Sequence, residues 1–389
     1  MIKIHPLLDE EKQQQARRYE KEKRLLGLTG LFLSLSILLL FYYSGLSRGL
    51  AQDFNRNSII LTFLGYVAVL YFLFFLFQFP LSLYASYFHE HKWNFSNQAF
   101  RGWLWDQAKA FLVGLVVLNL VLGVLFYLMA YYPRLWWLIA GFAMAIVSIV
   151  FSTILPVVIL PIFNKYTPIQ DDELTESLRK ILGREGLKSS GFFKEDMSRQ
   201  TKKENAFLAG LGNTRRVVLG DNLMNHMTIP EIESIIAHEV GHYRYRHIWK
   251  FIFLGTLQQI IVFYLLNIAM RSFFPDFLSS ARLNLALLPW LALLMGVISG
   301  FVFGPLGNAI SRYFERQADT YALENISDKK AFLTAMAGLA NRNLSNAYPS
   351  WWVKWLYYSH PPIGERLEYT EKLLNLRSEP ITGDLGTLN

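Results

Sequence analysis

Long uncharged apolar runs alternate with two polar stretches along the chain. The runs cover 25–46, 58–88, 111–132, 135–163, 251–270 and 283–310, and each reaches the roughly 20 residues that an α-helix needs to cross a bilayer. Six transmembrane helices are predicted. The second and fourth runs exceed the hydrocarbon thickness and carry Pro80, Pro156 and Pro161 near their ends, so each is expected to leave the bilayer and continue as an interfacial segment. Asn119, Gln258, Gln259, Asn267 and Asn308 lie inside runs. An unpaired amide is costly in hydrocarbon, so these are expected to face the bundle or a wet cavity.

The polar stretch 164–250 reads as a helix over 171–184, then strand-like pieces at 192–194, 205–209 and 217–219, which together imply a small sheet. The second, 311–375, holds a helix capped by Ser327, an irregular stretch rich in Asn and Trp, and a final helix after Pro362. The chain thus divides into a basic N-terminal segment 1–24, four spans over 25–163, the polar region 164–250, two spans over 251–310, the second polar segment 311–375 and an expected disordered tail 376–389.

Composition agrees: 52% of the 389 residues are hydrophobic and only 17% charged, too apolar for an ordinary soluble domain. The first run is too long for a signal-peptide core and reads as a permanent anchor. The net charge of +8 is spread over loops beside apolar runs rather than gathered on one surface, so no nucleic-acid partner is expected and the lipid bilayer is. Lys3, Lys12, Arg17, Arg18, Lys21, Lys23 and Arg24 precede the first run, whereas only Arg48 and Arg56 follow it. The N-terminus is therefore expected in the cytosol, and counting spans puts 164–250 there too. With no cysteine, disulfides, thiolate metal ligands and a cysteine nucleophile are excluded.

Residues 238–242 read His-Glu-Val-Gly-His. On a helix His238 and His242 share a face while Glu239 lies about 100° round from the first, so the imidazoles can hold one metal ion and the carboxylate can reach its open position. Zinc lowers the pKa of a bound water to about 7, within reach of a glutamate base. The helix is supported by a capping-box pattern from Thr228 to Glu231, by Pro230 in the first turn and by Ile232, Ile235 and Ile236 at helical spacing.

A catalytic zinc takes three protein ligands and a water, so one more must come from elsewhere. His247, five residues past His242, lies about 140° off the ligand face and reads as a polar residue at the membrane boundary. The fifth and sixth spans leave and return to one membrane face, which delivers Glu315 five residues past Ile310. Asp319, one turn on, can orient a ligand histidine. The competing reading is a solvated salt-bridge helix with Arg312 and Arg316; the topology favours ligation. His89 and His91 resemble a metal pair but have no third ligand nearby, and read as interfacial; His226 reads as solvated.

The chain resembles the integral-membrane zinc endopeptidases of the type I CAAX prenyl protease family. The resemblance is carried by Leu81-Ser-Leu-Tyr84, Leu160-Pro-Ile-Phe-Asn-Lys-Tyr-Thr-Pro168, Asn205-Ala-Phe207, Arg216-Val-Val-Leu-Gly-Asp221, Ala237-His-Glu-Val-Gly-His242, Ser311-Arg-Tyr-Phe-Glu-Arg-Gln-Ala-Asp319 and Ser359-His-Pro-Pro362. It implies a mainly α polytopic membrane protein with a cytosolic gluzincin-type α+β catalytic region. It implies one zinc ion per chain on His238, His242 and Glu315, Glu239 as general base and Asp319 in support. It also implies that Asn205, Ala206 and Phe207 take the substrate as an added edge strand, and that His360 and Arg366 contact the substrate or the developing oxyanion. Peptide or protein substrates, lipidated or membrane-associated, follow from it.

Eukaryotic members of that family have seven spans, an acidic insertion before the zinc helix and a retrieval tail, so a prokaryotic plasma membrane is the expected home. Cleavage of membrane or misfolded proteins without prenyl specificity is then the alternative activity. A transporter or scaffold with structural zinc is the rival from another class. An intramembrane protease is disfavoured because Arg244, Arg246 and Lys250 closely follow the motif.

Overall fold

The computed structural model describes residues 4–54, 57–187, 189–210 and 215–378. In chain order the membrane half comprises α1 (Glu10–Tyr43), α2 (Leu46–Asp53), α3 (Ile59–Leu83), α4 (His89–Lys92), α5 (Phe100–Tyr131), α6 (Trp136–Ile154) and α7 (Leu160–Phe163). The second and fourth spans are uninterrupted rods, Ile59–Lys92 and Trp136–Phe163. Each continues through one π-helical turn, Tyr84–Phe88 and Leu155–Ile159. Proline lacks the N–H that would donate to the carbonyl four residues earlier, and a wider turn beside Pro156 absorbs the defect without ending the helix.

The first polar region holds β1 (Tyr166–Pro168), α8 (Asp172–Arg184), β2 (Phe192–Glu195), β3 (Ala206–Ala209), β4 (Arg216–Gly220), α9 (Asp221–His226) and α10 (Ile229–Arg244). The strands form a mixed sheet in the order β1-β2-β4-β3, which leaves β3 at an edge. β3 runs antiparallel to β4, with Ala206 opposite Leu219 and Phe207 opposite Val218. α10 starts on the expected capping box, the Glu231 carboxylate accepting from the Thr228 N–H at 2.9 Å.

α11 (His247–Phe273), α12 (Ala281–Ala286) and α13 (Leu288–Val297) return the chain through the apolar layer. A π-helical turn at Ile298–Phe303 joins α13 to α14 (Gly304–Asn325), followed by α15 (Lys329–Arg342), α16 (Trp351–Tyr357) and α17 (Ile363–Ser378). The boundary expected at 310 falls inside α14, so the sixth span and the Glu315 segment are one rod. α15 is capped by Asp328, not Ser327: its carboxylate accepts from the N–H groups of Lys330 and Ala331. The tail is expected from 376, but α17 runs on to Ser378; residues from 379 lie outside the described residues. Six helical rods among the described residues are long and apolar enough to span a membrane.

Of the amides inside the spans, Asn267 accepts from Trp136 Nε1 at 3.0 Å and Asn308 donates to the Leu356 carbonyl at 2.8 Å, both across helices. Asn119 turns instead to its own helix, donating to Leu115 O. The catalytic-side core packs α8, β4, α10, α14 and α15 together through Leu178, Leu219, Ile236, Ala322 and Phe332. Leu8, ahead of α1, is buried in the same cluster, so the N-terminal segment is part of this body.

Candidate active site

α10 and α14 cross at Gly241, where an added Cβ would lie 2.9 Å from the Ala318 Cα. That close approach brings the two histidines of α10 against Glu315 of α14. His238 Nε2 and His242 Nε2 are 3.2 Å apart; Glu315 reaches the first with Oε2 at 3.2 Å and the second with Oε1 at 3.3 Å. Metal bonds of about 2.0–2.1 Å in a tetrahedron place ligand atoms about 3.3 Å apart, so the donor set fits one zinc-sized ion. Glu315 Oε2 is buried without a hydrogen-bond partner, which a cation would satisfy.

Behind these three groups lies a second layer. Asp319, 1% exposed, sits 2.8 Å from His238 Nδ1, and accepts two hydrogen bonds from Arg366, Nε to Oδ2 at 2.9 Å and Nη2 to Oδ1 at 2.5 Å. A proton held on Nδ1 by Asp319 frees Nε2 as the ligand atom. Burial works against the charged form of His238, but the carboxylates of Asp319 and Glu315 outweigh it and raise its pKa to about 9. Burial likewise opposes the Arg366 charge, and Asp319 beside it prevails and raises its pKa. Arg366 therefore bears on the site through Asp319, a partner that the sequence reading did not foresee.

His242 has its own support, also unforeseen. His247, the first residue of the fifth membrane-length helix, is buried, and its Nδ1 lies 3.0 Å from His242 Nδ1 while its Nε2 lies 3.0 Å from Gln317 Oε1. With Nε2–H donated to Gln317, Nδ1 accepts from His242. The ring stacks on Phe314 at 4.3 Å between centroids. Arg246 makes this possible: at φ 53° it takes the left-handed conformation that breaks α10 from α11 and folds His247 back.

Glu239 is half-buried and lines a cavity of about 300 Å³ together with His242, Leu208 of β3 and Gly210. The outer edge of β3 pairs with no strand among the described residues. Asn205, just ahead of β3, accepts at its carbonyl from Gly220 N at 2.9 Å, and Ala206 and Phe207 follow on the edge strand. On the other side of the ligand cluster a cavity of about 920 Å³ is lined by His360, Arg366, Lys203, Tyr358 and the α1 residues Leu28 and Leu31. His360 is 58% exposed, with Nε2 3.5 Å from Glu315 Oε1. The remaining histidines stay apart from the cluster: buried His5 pairs with Glu371 at 3.0 Å and buried His89 with Glu22 at 3.0 Å, His91 with the Tyr87 carbonyl, and His226 with the buried Glu204 at 2.7 Å.

Six membrane-length helices, the last bringing Glu315 against the two histidines of α10, with a further carboxylate beside a sheet edge, define a membrane-embedded metallopeptidase. Residues 168–374 match the model of peptidase family M48, and residues 3–165 match that of the CAAX prenyl protease N-terminal region described as five membrane helices. The chain belongs to peptidase family M48. It is 28% identical to CAAX prenyl protease 1 of Saccharomyces cerevisiae over 94% of this chain and 88% of that one. It is 30% identical to the CAAX prenyl protease 1 homolog of Oryza sativa, over 75% and 69%. An uncharacterized metalloprotease of Bacillus subtilis, YhfN, is 29% identical over 92% and 85%. The crystal structure of S. mikatae Ste24p superposes with a TM-score of 0.82 at 24% identity, covering 94% of this chain and 90% of that one, and so shares the fold. The enzyme is a metallopeptidase acting on peptide bonds within a membrane-spanning framework; the transporter and scaffold readings are not favoured.

Proposed function

We propose that the enzyme is a zinc endopeptidase that cleaves peptide bonds at the cytosolic face of its membrane, with one zinc on His238, His242 and Glu315. The observation that carries the reading is the cavity shared by Glu239, His242 and Leu208, which sets a carboxylate and a ligand histidine beside an unpaired strand edge. When bound, zinc supplies the Lewis acidity that polarises the scissile carbonyl and acidifies a water. Glu239 takes the proton of the attacking water and returns it to the leaving amine. Asn205, Ala206 and Phe207 offer backbone groups to an extended substrate, which joins as a further strand and presents one peptide bond to Glu239. His360, exposed and close to Glu315, donates to the developing oxyanion. Arg366 and Asp319 hold His238, and His247 holds His242, each fixing the ring nitrogen that points outward.

The names of the yeast and rice relatives support a substrate ending in a prenylated CAAX sequence, and the excess of basic residues ahead of the first apolar run supports the cytosolic orientation. The test compares wild type with Glu239→Gln for zinc content and for cleavage of a farnesylated and a plain unfolded peptide. Wild type alone should cleave, both proteins should hold zinc, and the farnesylated peptide should be preferred. Equal cleavage of both peptides would favour a quality-control role in a prokaryotic plasma membrane, and activity in Glu239→Gln would remove the glutamate from the mechanism.

A further inference from the structure

α16, between α15 and the final helix, packs against the ligand helix α14 and turns an unusual face outward. Trp351 is 78% exposed, Trp352 46%, Trp355 48% and Tyr357 49%, while Val353 alone is buried. Large aromatics at this density have no place on a water-facing surface. Two independent spans fix the height of the helix. Asn308 donates to the Leu356 carbonyl at 2.8 Å and Arg312 to the carbonyls of Lys354 and Tyr358, and these two residues bracket the end of the sixth apolar run at 310. The Arg24 guanidinium lies 5.7 Å from the Trp352 ring, and Arg24 immediately precedes the first apolar run at 25. Both contacts fall where an uncharged run meets charge.

We propose that α16 lies in the headgroup layer of the host bilayer, with Trp351 and Trp355, one turn apart, as its anchors. Indole rings favour that layer because they pair an apolar body with an N–H donor, and the Arg24 and Lys354 charges beside them suit its polar side. The anchor is wired to the site. Lys354 pairs with Glu365 at 2.6 Å, next in the chain to Arg366, and Glu365 also faces Arg316, next to Glu315. His360 follows α16 by three residues, so bilayer contact at α16 sets the height of His360 and places the peptide bond to be cut at headgroup level.

The chain has no cysteine, so Trp351→Cys and Trp355→Cys can each carry one nitroxide in phosphatidylcholine nanodiscs, read by collision with oxygen and with a water-soluble nickel chelate. Leu120→Cys, outward-facing on α5 in the middle of the run 111–132, and Glu176→Cys, exposed on α8, are the bilayer and water references. Both α16 labels should fall between the references. Labels as open to nickel as the Glu176 label would overturn the proposal and leave the face for solvent or a protein partner. A second measurement needs no label: Trp351→Phe with Trp355→Phe should reduce the part of the tryptophan emission that brominated lipid quenches. An unchanged quenchable part in a folded double variant counts against the anchor.

Discussion

Gly241→Ala tests whether the α10–α14 crossing sets the metal geometry. The new Cβ would stand 2.9 Å from the Ala318 Cα, 3.1 Å from its carbonyl oxygen and 3.2 Å from the Tyr321 Cβ. Two of those atoms are backbone, so no side chain can swing aside. Carbon pairs settle at about 3.5–4.0 Å, and the helices must therefore part by roughly 0.6–1 Å. Alanine gains about 1 kcal/mol of helix propensity over glycine, which offsets part of an overpacking cost of about 1–3 kcal/mol; global stability should fall only slightly. The ligand set is less forgiving, because metal bonds tolerate about 0.2 Å and Glu315 rides on the helix that is pushed away. Zinc affinity and turnover should both drop, turnover by about 100-fold if misplacement of about 1 Å carries its usual cost. The assay is zinc content by mass spectrometry against a graded chelator, with peptide cleavage and thermal melting on the same samples. Gly255→Ala, where an added Cβ meets nothing within 4 Å, is the control. A Gly241→Ala protein that keeps wild-type zinc affinity and turnover would refute the argument.

Other substitutions probe the layer behind the ligands. Asp319→Asn keeps the shape but weakens the hold on His238 Nδ1 and leaves the Arg366 charge uncompensated; zinc affinity should fall by about 10–100-fold, with a stability loss of about 3–5 kcal/mol from the broken buried pair, read by chelator competition and by denaturation. His247→Phe should keep the stacking on Phe314 and lose the partner of His242 Nδ1, so zinc affinity should fall by a similar factor while the melting temperature stays close to wild type. Leu8→Ala should cost about 2–5 kcal/mol, because Leu8 is buried in the catalytic core although it precedes the first span; an unchanged melting temperature would place the N-terminal segment outside that core.

The contrast between what the sequence disclosed and what it hid follows chain separation. α10 was legible because its capping box and its isoleucine spacing are local, and Glu315 because membrane topology returns the sixth span to the face that the fifth left. β1 was missed: three residues ending in Pro168 carry no strand signal, and the piece is tolerated only as an outer strand against β2. The cap of α15 slipped by one residue since Ser327 and Asp328 are both good caps and only the backbone path chooses between them. Helical geometry turns His247 off the ligand face, but that geometry holds only as far as Arg246; a left-handed arginine has no signature in composition or periodicity. Arg366 and Asp319 stand 47 residues apart, and Gln13 of α1 reaches Ser345 and Ala347 at separations above 330. The basic N-terminal segment was read for its charge, a sign of orientation, whereas its apolar and amide side chains tie it to the catalytic body. The proposed metal ligands thus belong to patterns that a helix or a membrane repeats, while the residues that aim them belong to single contacts that nothing repeats. If that division is right, substitutions in the ligands should abolish zinc binding outright, and those at Asp319, His247 and Gly241 should grade it.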